Sequence, residues 1–386
     1  ARLMAMPGLA PGVRLLCIPI LLEGTAVTAN ARLRRSLRFS ALAVADVIGE
    51  AAFLLVALAV LWAGRPRLSL AAALGARFTF HALVVWIADP YFPRQAPRME
   101  AARDFARFSS TVLSGRIVVA LSSNADFLLV GRLLGSSALG FYSMAWDLLR
   151  FIPDRLAKVA GRVTLPAFCR LQDDDRRLAR TYRDFFAYLC RIVMPIVACA
   201  SIAAPELIGF VYGSKWEPAA LPMRLLAPGL ILIGLRVGIG SIYYTKDHPS
   251  FDLYLHSIRL ILIVAVVSTA ASLGLSVVSS GMSAVEGAIS VAGQWMACLL
   301  IGLGLGNLFE AALPAVVLTM LCSLATLAGR SLAFALDIHG IALIALIVLP
   351  PAIVFACREA RDLRTMVSQA FGSSSPAAID LSEERA

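Results

Sequence analysis

The sequence predicts an all-α membrane protein, a polytopic helical bundle with about eleven transmembrane helices. Three observations predict it: the apolar composition, the recurrence of apolar stretches of membrane-spanning length, and the placement of basic residues in alternate connections. Hydrophobic residues make up 59% of the chain and charged residues 16%, against about 45–50% and about 25% in soluble domains. A bilayer core takes about 20 apolar residues per helix, and stretches such as Ile258 to Leu275 and Ile341 to Cys357 supply that with hardly a charge.

The spans fall, in order, at 11–29, 40–62, 68–88, 107–131, 137–167, 181–211, 218–244, 253–274, 276–303, 310–329 and 338–357. The second, eighth, tenth and eleventh are the clearest. The first, fourth and fifth carry polar faces, so hydropathy alone undercounts them. Basic residues test the count, because Lys and Arg collect on the cytoplasmic side. Arg32, Arg34, Arg35 and Arg38 follow the first span; Arg94, Arg98, Arg103 and Arg107 follow the third; Arg170, Arg176, Arg177, Arg180 and Arg183 follow the fifth. The intervening connections are poorer in charge, and Arg358, Arg361 and Arg364 put the end of the chain on the basic side. The net charge of +10 is therefore read as a topology signal, not as a nucleic-acid patch.

The connection around Pro90, Pro93 and Pro97 is the longest polar one and divides three spans from eight. The Ser-rich, charged residues from Gly372 to Ala386 are expected to be disordered. The chain opens at Ala1 with no initiator Met, inside an Arg-flanked segment, which predicts a missing N-terminal portion. The competing reading is a signal peptide, with Arg2 and Arg14 before a short apolar run and a cleavage-like Ala29-Asn30-Ala31.

The fifth span is the most informative. Asp147, Arg150, Asp154, Lys158 and Arg162 follow three- and four-residue steps and form one helical stripe, with Asp154 placed to pair with Lys158. A charge facing hydrocarbon costs at least about 2.5–3.5 kcal/mol, so the stripe must face protein or water. Arg150, Arg155, Lys158 and Arg162 against Asp147 and Asp154 leave two positive charges, which an anionic head group would balance. The alternative is an interfacial amphipathic helix with merely solvated charges. In the fourth span Arg116 and Ser123 share a face, with Asn124 beside them and Asp126 a turn beyond; Arg116 either contributes to the anion site or pairs with a neighbouring carboxylate. Asp46 and Glu50, one turn apart, either carry a coupling ion or balance an arginine. Arg236, Arg259 and Glu286 stand as isolated polar residues in apolar spans, and Arg224 and Arg259, near span ends, are expected to snorkel to head groups.

Several chemistries find no support. The seven cysteines are scattered with no C-x-x-C, and His81, His248, His256 and His339 are isolated, with no carboxylate at ligand spacing, so neither metal nor catalysis is expected. There is no phosphate-binding G-x-x-x-x-G-K-[ST] loop, so ATP is not expected to be the intrinsic energy source; no cofactor is expected.

A run of motifs adds a resemblance. Asp126-Phe127-Leu128-Leu129-Val130-Gly131-Arg132-Leu133-Leu134-Gly135 is followed by Leu139-Gly140-Phe141-Tyr142, Phe151-Ile152-Pro153, Leu165-Pro166-Ala167-Phe168 and Leu171-Gln172-Asp173-Asp174. With Leu33-Arg34-Arg35-Ser36-Leu37-Arg38-Phe39 and Phe210-Val211-Tyr212-Gly213-Ser214-Lys215-Trp216, these resemble the Wzx-type polysaccharide flippases of the multidrug/oligosaccharidyl-lipid/polysaccharide exporter superfamily. The resemblance implies a two-lobed exporter-like fold with an incomplete first lobe: residues 1–93 as its remnant, a basic cytoplasmic linker at 94–107, a six-helix second lobe at 108–306, a C-terminal helix pair at 307–360 and a tail at 361–386.

The same resemblance implies a secondary transporter that flips undecaprenyl-pyrophosphate-linked oligosaccharide across the inner membrane by alternating access, making and breaking no bond, with the C-terminus cytoplasmic. Its partners would be membrane lipids, the lipid-linked substrate, and a polysaccharide polymerase and export proteins. Arginines of the flippase cavity hold pyrophosphate, which points to Arg116, Arg150, Arg155, Lys158 and Arg162; Asp46, Glu50, Asp126 and Asp147 are the coupling-ion candidates. The rivals are a multidrug extruder of the same fold, which would want an acidic cavity, a membrane glycosyltransferase, which would want a long extracytoplasmic loop, and a non-transporting remnant.

Overall fold

A computed structural model of the chain describes residues 10–36, 38–90, 99–336, 348–353 and 355. The expected tail at 361–386, most of the eleventh span and part of the basic linker lie outside the described residues, as do His339 and Cys357 and the side chains of Lys158 and Arg162. The described residues form helices and turns, with no strand among them.

The helices are α1 (Ala10–Arg35), α2 (Phe39–Trp62), α3 (Pro66–Ala88), α4 (Met99–Leu133), α5 (Ser136–Cys169), α6 (Asp175–Ile202), α7 (Ala204–Tyr212), α8 (Ala220–Gly234), α9 (Ile239–Thr245), α10 (Ser250–Ala270), α11 (Leu275–Leu300) and α12 (Leu305–Ala335). Among the described residues seven helical segments are long and apolar enough to cross a membrane: Phe39–Trp62, Leu68–Ala88, Asp175–Ile202, Ser214–Thr245, Ser250–Leu273, Leu275–Leu300 and Leu305–Ala335. The chain is a multi-pass membrane protein. Helices α1, α4 and α5 have the length, at 26, 35 and 34 residues, but carry the charges that lower their hydropathy. Outward faces are apolar, with Leu54, Leu55, Leu58, Ile261, Phe309 and Leu313 all exposed, as hydrocarbon solvation requires.

Two compact units divide the chain between Val112 and Leu113. In the first, α3 packs against both α1 and α2, over small side chains such as Ala26, Ala29, Ala45 and Ala82. Small residues let helices approach closely where lipid offers no hydrophobic drive. In the second, α8 packs against α5, α6 and α11, while α10 lies on α11 and α12 on α6. The α8–α11 contact is tight at Gly229, where a Cβ would come 2.5 Å from the Ser283 carbonyl oxygen. The Gly229 N–H donates to Ser283 Oγ at 2.8 Å.

Two expected spans are divided. The sixth breaks at Ala203, where Pro205 opens α7; proline is suited to a first helical turn because its missing N–H is needed nowhere. The seventh breaks between α8 and α9, where Gly238 takes φ +94°. A broken helix at membrane depth must have its freed backbone groups satisfied by protein or water. Gln294 of α11 does this by donating from Nε2 to the Leu235 carbonyl at 2.7 Å, while its Oε1 accepts from Tyr182 at 2.6 Å.

The motif segments pack on one another. Leu139 seats against Gly131, Phe141 meets Trp216 edge-to-face at 6.0 Å, and Asp174 caps α6 by accepting from the Arg177 N–H at 3.0 Å.

Candidate functional site: a polar cavity in the second unit

The break after α8 matters because of the residue it carries. Arg236 sits in the four-residue interruption and lines a cavity of about 270 Å³ with Ser123 of α4, Arg150 and Asp154 of α5, His256 and Arg259 of α10 and Glu286 of α11. Five elements thus bring polar groups to one place inside an otherwise apolar bundle.

Its most buried part is an ion pair. Arg259 and Glu286 have side chains 6% and 1% exposed; Arg259 Nε donates to Glu286 Oε1 at 2.7 Å, one terminal amino group donates to the same carboxylate, and the other donates to the Ser122 carbonyl. The second oxygen of Glu286 lies 3.7 Å from Arg236 Nη1 and has no hydrogen-bond partner among the described residues. One carboxylate is therefore shared unequally between two guanidinium groups. Ser122 also meets His256, Oγ to Nδ1 at 2.8 Å, and the other nitrogen of that ring stands 3.9 Å from Asp252.

Beside this lies a second buried pair. The Tyr142 hydroxyl donates to Asp126 Oδ2 at 2.9 Å, and Asp126 Oδ1 has no partner among the described residues. Phe127, Tyr142 and Trp146 pack with ring centroids 5.5–5.9 Å apart and fix that geometry. Arg150 stacks over Trp146 at 5.9 Å and donates to Asp154 Oδ1 at 3.1 Å. Among the cavity-lining residues, Arg150, Arg236 and Arg259 face Asp154 and Glu286, so cations exceed carboxylates by one. Such a site favours an anion that can take the Arg236 donors and the Arg150 donors left over from Asp154, as phosphate oxygens do.

The expected residues divide. Of the cationic set, Arg150 lines the cavity; Arg116 is exposed, and Arg155 is exposed and stacks over Phe151 at 5.4 Å. Asp154 takes Arg150 as its partner. Asp126 is buried and Asp147 exposed. In the first unit, Glu50 balances Arg77 at 2.9 Å and Asp46 stands 3.5 Å from His81. Two expectations are corrected. Arg259 does not snorkel, because a buried carboxylate one helix away offers a stronger partner than head groups. The histidines His81 and His256 are not isolated: Glu23, Asp46 and Ser122 reach them from other helices, invisible to spacing along one, whereas Asp252, four residues before His256 on α10, was there to be read.

The residues missed as a site were Arg236, Arg259, His256 and Glu286. The available signal was that three apolar helical stretches each carry an uncompensated charge, and such charges must find one another.

Residues 1–221 match the family of polysaccharide biosynthesis proteins. The chain belongs to that family. Among curated relatives it is 26% identical over 225 residues to the teichuronic acid biosynthesis protein TuaB of Bacillus subtilis, covering 57% of this chain and 46% of that one. It is 26% identical over 140 residues to the lipopolysaccharide biosynthesis protein WzxC of Escherichia coli, covering 36% of this chain and 28% of the relative. The chain therefore spans less than half the length of these relatives. Among solved structures it is similar to the lipid II flippase MurJ in an inward closed conformation, with a TM-score of 0.65 at 12% identity, over 93% of this chain and 74% of that one. That likeness shows a shared fold. The part shared with the polysaccharide biosynthesis family holds Asp126, Tyr142, Arg150 and Asp154, whereas Arg236, His256, Arg259 and Glu286 come from beyond residue 221.

Proposed function

We propose that this protein flips a lipid-linked saccharide, of the undecaprenyl-pyrophosphate-linked oligosaccharide class, across the inner membrane by alternating access, with its C-terminus cytoplasmic. The observation that carries the reading is the cation excess of a cavity set among the helices of the second unit. A pyrophosphate taken out of water needs paired cations and hydrogen bonds, and arginine supplies both in a fork matched to phosphate. Arg236 is the main anchor and Arg150 adds the donors that its pair with half-exposed Asp154 leaves over, since Arg259 is held by the buried Glu286. The relatives are named for teichuronic acid and lipopolysaccharide biosynthesis, and the similar fold is that of a lipid II flippase, which supports a lipid-linked saccharide as cargo. A polysaccharide polymerase and export proteins are the partners such cargo implies. A multidrug extruder would want an acidic cavity for cationic drugs, the reverse of the balance here.

The test uses the full-length protein with Arg150→Gln and Arg236→Gln, singly and together. Binding of a short polyprenyl pyrophosphate disaccharide is expected to weaken by at least about tenfold in the double variant, about 1.4 kcal/mol, and surface polysaccharide in cells to fall. Unchanged binding with normal surface polysaccharide would overturn the assignment.

A further inference from the structure

The first unit holds a polar cluster of opposite character. His81 of α3 has Glu23 of α1 at one ring nitrogen, Nδ1 to Oε1 at 2.9 Å, and Asp46 of α2 at the other, Nε2 to Oδ1 at 3.5 Å. One turn away on the same pair of helices, Arg77 binds Glu50 at 2.9 Å. The helices packed against α3 are α1 and α2, so the charged groups facing His81 are Glu23 from the first, Asp46 and Glu50 from the second, and Arg77 from its own helix. Three carboxylates face one guanidinium and one imidazole. With Glu50 taken by Arg77, the other two are left to His81.

A neutral imidazole has one N–H and one bare lone pair, and only the protonated ring donates from both nitrogens. A ring with a carboxylate oxygen before each nitrogen is satisfied at both only when it carries the second proton. The three side chains also grade in exposure. Asp46 is 73% exposed and His81 16%, with Glu23 between them. A carboxylate that exposed on a membrane-spanning helix must face water or further protein, since hydrocarbon would not tolerate it. Asp46 is therefore the member of the three through which a proton would reach the ring.

We propose that Glu23, His81 and Asp46 form a proton-binding site that links α1, α2 and α3, and that its occupancy is how a proton gradient couples to this transporter. The coupling half of the proposal rests on the flippase reading. Protonated, His81 bridges two carboxylates on helices that scarcely touch each other. Deprotonated, it releases one of them and leaves two negative charges facing across α3, so the proton biases the arrangement of the three helices. The second unit's cavity would take the anion and the first unit's cluster the cation, each by its own charge balance.

Two measurements test this separately. The full-length protein, labelled with ¹⁵N-histidine in lipid nanodiscs, is expected to show a signal, absent from His81→Gln, that changes from the doubly protonated to the neutral ring as the pH is raised. The pH of that change should move in Glu23→Gln. A ring that keeps one protonation form throughout, or that ignores Glu23→Gln, overturns the site. In proteoliposomes, the movement of a fluorescent polyprenyl pyrophosphate disaccharide should be faster with an imposed pH gradient than without, and the ratio of the two rates should fall to about one in His81→Gln. Wild-type movement indifferent to the gradient overturns the coupling and leaves the flippase reading standing. No wild-type movement overturns the flippase reading, and the titration then decides the site by itself.

Discussion

Arg259 of α10 and Glu286 of α11 form an ion pair closed off from solvent, and the second carboxylate oxygen of that pair is the one turned to Arg236. The pair therefore does two things. It holds α10 and α11 together at depth, and it leaves Arg236, among the described residues, with a distant partner at 3.7 Å, so that its donors remain open to an anion.

Removing one member of the pair is expected to be severe. Glu286→Leu leaves Arg259 buried beside the Ser122 carbonyl without its counter-charge, and breaking such a pair costs about 3–5 kcal/mol. Thermal unfolding in detergent, followed by size-exclusion recovery, should drop sharply. The double variant Arg259→Leu with Glu286→Leu should recover a large part of the loss, because two apolar groups leave no orphaned charge.

Tyr142→Phe removes the hydroxyl that donates to Asp126 Oδ2. Asp126 would then lose its side-chain donor in a fully buried site, at a cost of about 1–3 kcal/mol. Adding Asp126→Leu to Tyr142→Phe should give back stability in the same unfolding assay. If the single variant is as stable as the wild type, Asp126 is satisfied by something other than Tyr142.

Gly229→Ala places a methyl group 2.5 Å from the backbone oxygen of Ser283, where no flexible side chain can yield. Helices α8 and α11 must separate, with an expected loss of about 1–3 kcal/mol. Gly209→Ala, where a Cβ meets nothing within 4 Å, is the control and should be close to neutral.

Lys246 donates to Asp175 and to the Gln172 carbonyl, the latter at 2.7 Å, tying the end of α9 to the α5–α6 turn. Asp175 is well exposed, and ion pairs in water contribute about 0–1 kcal/mol. Lys246→Met should therefore shift global unfolding little, yet speed hydrogen exchange in residues 170–175.

The helices were readable where their physics is local. The stretches that became α2, α3, α10 and α11 are bounded by changes in hydropathy, and the polar stripe of α5 is a matter of spacing within one helix. Arg150 was legible as a cavity residue for that reason. The breaks at Ala203 and at residues 235–238 were not, because both flanks are apolar and read as one span. Gln294, which satisfies the second break, lies 59 residues from the carbonyl it serves.

Partnership was the part spacing could not supply. Asp46 and Glu50 were visible as a pair on one face, but Glu23 and His81 entered only when α1 and α3 were placed beside them. Arg236, Arg259 and Glu286 were each visible as charges out of place, which is a statement about solvent and needs no contact map. That they meet in one cavity is a statement about packing, since ion pairs between helices depend on crossing and rotation that no single helix encodes. The sequence by itself determined a multi-pass helical membrane protein, its family motifs and the presence of costly buried charges. The tertiary structure alone decided which charges pair, which one is left reaching into the cavity, and that the first unit gathers its acids around a histidine.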